Sequence, residues 1–207
     1  MNFSDIALSE LKNKVSLRLS SKRYSHTLRV EKIAKKLAEI FLPDLVGEIR
    51  AAALLHDIAK ELTDEENSSL IKEYKISVSE ESMNTEPALH SFAAVAVIKR
   101  DFPVYATENI LSAVYNHTLG SPSMSLFDEI IFIADYIEEG RTFESCTKVR
   151  EELFEELASM KSNEERIISL HKSVVKSLDY IISHLISKKF AIDSTTVKTR
   201  NAFLALI

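Results

Sequence analysis

Six residues of metal-binding type interrupt otherwise apolar stretches of this chain: His26, His56, Asp57, His90, His117 and Asp135. In LLHDIAKEL, Leu54 to Leu62, His56 and Asp57 stand side by side where a helix should be apolar, and IIFIADYI places Asp135 in a similar setting. A buried polar group without a partner costs roughly 2–7 kcal/mol, depending on the reference state. These side chains therefore need something to satisfy them. Taken singly, each has a plain structural reading: a histidine on an apolar face is usually hydrogen-bonded at the core or its edge, and Asp135 could cap a helix or pair with an arginine. Taken together, imidazoles and carboxylates suit first-row transition metals. A helix bundle can project such ligands inward from several helices at once. Adjacent residues on a helix point about 100° apart. His56 can thus face one ion while Asp57, with two carboxylate oxygens, reaches between two.

The elements that must position these groups are helical, because the apolar residues follow a helical period almost throughout. One helix is expected from Ser4 to about Leu19. A second starts near Ser21, with His26 on the stripe formed by Val30, Ile33, Leu37 and Ile40. Pro43-Asp44 marks a break, and a third helix carries Ala51, Leu54, Leu55 and Ile58 to about Glu61. Thr63 and Glu66 form a capping box for a short helix to about Tyr74. Lys75 to Thr85 reads as a loop, and Pro87 suits the first turn of a helix to about Arg100. Thr107–Thr118 is helical, Leu119-Gly-Ser-Pro122 is a turn, and Ser125 with Asp128 caps a helix through Ile137. After a loop from Glu138 to Cys146, helices are expected over Thr147–Met160 and Asn163–Lys189, with a last one from about Thr195.

Composition agrees with an all-α fold. The 207 residues are 45% hydrophobic and 28% charged, with only three Gly and four Pro, which leaves little room for a hairpin-rich β fold. The expected division is a metal-binding core over 1–145 and a helical extension over 146–207 packed on it. The single cysteine, Cys146, excludes an intrachain disulfide and fits a reducing cytosol. No stretch approaches the roughly 20 apolar residues of a membrane span. The acidic N-terminus is unlike a signal peptide, so a cytoplasmic location is expected. A net charge of −5 argues against broad attraction to nucleic acid or an anionic membrane. Lys32, Lys35 and Lys36 read as a solvated helix face. His171 and His184 read as core-edge residues of the long C-terminal helix, without an acid partner in the same pattern. The C-terminal helices could equally form the face of a homodimer.

The spacing His26, His56-Asp57, Asp135 resembles the H…HD…D pattern of the HD-domain metal-dependent phosphohydrolases. The strings RYSHTLRV, LLHDIAKE, ALHSF and NHTLGSPSMSLFDEIIFIADYIEEGR are similar to successive motifs of the bacterial YqeK-type family of symmetrical diadenosine tetraphosphate hydrolases. The resemblance covers about Arg23 to Arg141. It departs from the family pattern at Ser91, Asn116 and Glu139, none of them a ligand type in that pattern. It implies an HD-domain helical bundle and a two-metal site, usually described with iron. His26, His56, Asp57 and Asp135 would hold one ion, and His90, His117 and a shared Asp57 the other. By their donor chemistry such sites also accept Mn, Co or Zn.

On this reading a metal-activated water cleaves diadenosine tetraphosphate to two ADP, with Asp57 and Lys60 in the catalytic centre. Lys60 lies one turn beyond His56 and Arg23 one turn before His26, while Arg141 follows the Asp135 helix. All three are candidate phosphate contacts. Thr118 and Gly120 could let a loop backbone approach phosphate. Two alternatives remain open at this stage. One is a phosphatase or nucleotidase for another nucleotide, and the other is a nucleotide-binding regulatory protein without turnover.

Overall fold

The computed structural model describes residues 3–207. Among them are eleven α-helices and no β-strand. They are α1 (Asp5–Ser16), α2 (Ser21–Phe41), α3 (Val46–Leu55), α4 (Asp64–Glu73), α5 (Glu80–Met83), α6 (Glu86–Asp101), α7 (Glu108–Asn116), α8 (Leu126–Ile137), α9 (Glu144–Ser159), α10 (Asn163–Lys188) and α11 (Ser194–Leu204). No helix among the described residues is long and apolar enough to cross a membrane.

Helix α3 is the centre of the bundle and packs against α1, α2, α7 and α8. Apart from Glu48 and Arg50, its sequence VGEIRAAALL is apolar, as expected of a helix enclosed by others. Ala51, Ala52 and Ala53 are fully buried and let the neighbouring helices come close. Helix α6 is enclosed in the same way, with every residue from Ala88 to Ile98 buried. The helix starts follow from local chemistry. Ser20 caps α2 by accepting from the Arg23 N–H, and Thr63–Glu66, Ser125–Asp128 and Ser162–Glu165 form capping boxes for α4, α8 and α10.

Several boundaries differ from the sequence expectation, each for a local reason. Helix α3 stops at Leu55 rather than continuing to Glu61. The following residues tighten into i→i+3 turns, Ile58 N–H to Leu55 C=O and Lys60 N–H to Asp57 C=O. The Lys75–Thr85 stretch contains a single helical turn, α5, capped by Ser79. Helix α9 starts at Glu144, so the boundary expected at residue 145 falls within its first turn.

The C-terminal helices are tied to the rest by specific contacts. Helix α10 packs against α8, α9 and α11. His171 is not without an acid: its Nδ1 lies 2.8 Å from Glu129 Oε2 of α8, and its ring packs on Phe203 of α11. His184 is exposed rather than at the core edge. Asp193 caps α11 and also accepts from Ser82 and Thr85, ahead of α6.

Gly120 does not line the cavity described below. It is buried in the left-handed region (φ +73°), where its N–H donates to the Asn116 carbonyl and closes the end of α7. A β-carbon there would meet the Thr199 side chain of α11 at 2.7 Å. The turn and the close packing both require glycine, and no phosphate contact follows from its position. Gly120→Ala should cost about 1–2 kcal/mol for the backbone conformation alone, or roughly 2–8 °C in Tm. Adding Thr199→Ala should recover only the part due to the clash. Thermal melts of the two variants test this, and an unchanged Tm in Gly120→Ala would contradict it.

Candidate metal centre

The six residues singled out by type converge on one point. His26 comes from α2, His56 caps the end of α3, Asp57 follows it, His90 lies in α6, His117 caps the end of α7, and Asp135 sits in the last turn of α8. The tightening of the chain after Leu55 is what turns Asp57 inward. Its Oδ2 lies 3.6 Å from His26 Nε2 and 3.4 Å from His56 Nε2. Its Oδ1 lies 3.2 Å from His90 Nε2 and 3.7 Å from His117 Nε2. Asp135 Oδ1 approaches His26 Nε2 at 3.1 Å and His56 Nε2 at 4.0 Å. The four imidazoles and Asp57 are all buried, His56 completely.

The outward nitrogens explain the ring orientations. His56 Nδ1 donates to the Ala53 carbonyl and His117 Nδ1 to the Val114 carbonyl, each at 2.7 Å and each three residues back. This repeated device leaves the Nε2 lone pair aimed inward. His26 Nδ1 lies 3.2 Å from Glu138 Oε1. His90 differs: the Lys60 ammonium, which can only donate, lies 3.1 Å from its Nδ1. The same ammonium lies 3.4 Å from His90 Nε2, the nitrogen that faces Asp57 and His117.

Electrostatics keep the carboxylates ionised. Burial alone would raise the Asp57 pKa, but the close approach of the His56, His117 and His90 imidazoles holds it well below the usual range. Asp135 is likewise held low against its burial, mainly by Arg141 and by His26. Burial pushes His90 down to about 4. His56 goes the other way: burial pulls it down, but Asp57, Asp135 and the Ala53 carbonyl together raise it. A setting that stabilises a proton on His56 also favours a metal cation there.

The donor set fits a metal. His26 Nε2 and His56 Nε2 are buried without a hydrogen-bond partner. Three groups, His26–His56–Asp57, His56–His117–Asp135 and Asp57–His90–His117, each offer ligand atoms within 4.8 Å of one another. The ends of α3, α7 and α8 also bring the negative poles of their dipoles to this point.

A cavity of about 340 Å³ opens on the cluster, lined among others by Arg23, Lys60, Thr118, Phe132, Tyr136 and Arg141. Arg23 pairs with Asp57 Oδ2 at 2.7 Å, and Arg141 pairs with Asp135 Oδ1 at 2.7 Å. Thr118 Oγ1 lies 3.4 Å from His90 Nε2. Of the candidate phosphate contacts marked by sequence, Arg23, Lys60, Thr118 and Arg141 line this cavity and Gly120 does not. Sequence reasoning missed Glu138. It is buried at the end of α8, accepts from Arg29 and the Gly140 N–H, and faces His26. Its signal was weak, since an acid just after a helix is ordinary on a surface.

Comparison with known proteins agrees with this geometry. Residues 23–140, more than half of the chain, match the HD domain family. The chain is 31% identical over 186 residues to a symmetrical bis(5'-nucleosyl)-tetraphosphatase of Halalkalibacterium halodurans, covering 90% of this chain and 91% of that protein. It is 34% identical to the enzyme of the same name from Bacillus subtilis, over 78% of this chain and 82% of that one. The crystal structure of a predicted HD superfamily hydrolase involved in NAD metabolism, from Clostridium acetobutylicum, superposes with a TM-score of 0.81 at 28% identity, covering 99% of both chains. The fold, the convergent histidine–aspartate cluster and these matches lead to one conclusion: the chain belongs to the HD-domain family of hydrolases.

Proposed function

We propose that this chain hydrolyses diadenosine tetraphosphate symmetrically to two ADP, at a site built for two cations. The observation that carries the reading is the division of labour around Asp57. His26 and His56 face one of its oxygens and His90 and His117 the other, beside a cavity lined by Arg23, Lys60 and Arg141. His26, His56, Asp57 and Asp135 would hold one cation, and Asp57, His90 and His117 the second. Iron is the metal that the family resemblance implies. When bound, such ions supply Lewis acidity and an activated water.

The chain's own residues do the rest. Asp57 and Asp135 provide fixed negative charge for the cations. Arg23, Lys60 and Arg141 supply positive charge for a tetraphosphate chain, and burial lowers the Lys60 pKa. One water is consumed: its oxygen joins one inner phosphorus, the central P–O–P bridge breaks, and each half departs as ADP. Glu138 is a positioning residue. It holds the His26 ring from behind and is itself anchored by Arg29.

Three outcomes are expected. The metal-loaded protein should convert diadenosine tetraphosphate to ADP alone by chromatography, and AMP plus ATP would refute symmetrical cleavage. Asp57→Ala should lose at least about 1,000-fold in turnover and retain less metal by elemental analysis. Full activity in that variant would end the two-cation proposal. Glu138→Gln should weaken metal affinity by about 10–100-fold, measured by chelator competition. Unchanged affinity would leave Glu138 with no role in positioning His26.

A further inference from the structure

The cavity over the metal ligands has neighbours of opposite character on two different walls. Through Arg23 and Arg141 it adjoins a basic cavity that also displays Lys22 and Arg29. Through Pro87, Thr118 and Ile181 it adjoins a second cavity of about 470 Å³. This second cavity is walled mainly by apolar side chains, including Leu119, Ile181, Leu185 and Phe190. Its volume lies within the roughly 300–1,000 Å³ typical of small-molecule sites.

Charge decides what each space can hold. The apolar cavity carries no lysine or arginine in its lining. Its charged groups are Glu86 and Asp193, and the Asp193 carboxylate is already engaged by Ser82, Thr85 and the Thr195 N–H. A phosphate chain is disfavoured there. A flat, uncharged, aromatic group is favoured. Phe190 lies just beyond the end of α10, after the left-handed Lys189, and it is 62% exposed although it lines the cavity. An aromatic ring left open at the wall of such a space is suited to stacking on a base.

We propose that the apolar cavity is a nucleoside subsite, with Phe190 stacking on one base of a dinucleoside polyphosphate whose phosphates lie over the metal ligands. The inference deepens the hydrolase reading and rests on it. It also gives the C-terminal helices a part in the site: Ile181 and Leu185 of α10 and Thr196 of α11 line the nucleoside's side of the cavity.

The test compares two probes on the metal-loaded protein, ADP and inorganic tripolyphosphate, by isothermal titration. Phe190→Ala should weaken ADP binding by about tenfold, the scale of one stacked base, and leave tripolyphosphate binding unchanged. Phe190→Trp should restore ADP affinity. Because Phe190 is exposed, the alanine variant should fold; Leu185→Asn offers an independent probe of the same wall and should also weaken ADP selectively. Equal loss for both probes, or no loss for either, would overturn the assignment. So would a change in sedimentation with ADP affinity intact, which would make the groove a self-association face. The titration does not need turnover, so a parent protein that binds ADP but fails to cleave diadenosine tetraphosphate would count against the hydrolase reading and not against the subsite.

Discussion

The structure depends on one buried negative charge. Asp57 stands at the point where α3 unwinds, with imidazoles on both of its oxygens and Arg23 beside it. A carboxylate removed from water is costly unless it is paired and hydrogen-bonded. Here the compensation comes from α2, α6 and α7 at once. Those helices must therefore meet at one place, and the small residues of α3 let them do so. The constraint is shared between folding and chemistry: the arrangement that satisfies Asp57 is also an arrangement that can hold cations.

The same economy of partners extends outward. Two imidazoles are fixed by carbonyls of their own helices, and a third by Glu138. Arg29 and the Gly140 N–H in turn hold Glu138. His90 has a cationic side-chain partner instead, the Lys60 ammonium.

Much of this was readable from residue types alone. His26, His56, Asp57, His90, His117 and Asp135 were conspicuous because each broke an apolar pattern, and helical period with capping signals placed them on separate helices. Thr63 and Ser125 act as the caps their motifs suggested. What escaped was set by tertiary contact. The stop of α3 at Leu55 has no Gly or Pro to announce it. Glu138 and the Glu129–His171 pair join helices distant in sequence, which periodicity cannot relate. Gly120 was noticed for its freedom, but only the approach of Thr199 reveals what that freedom serves.

That approach has a wider meaning when set beside the capping of α11. Its first turn is fastened through Asp193 to the segment just before α6, and its middle presses on the turn just after His117. Helix α11 thus works as a brace between the supports of His90 and His117, and His171 of α10 links it to α8, which carries Asp135. Loosening of α11 would reach the supports of His90 and His117 directly, and that of Asp135 through α10.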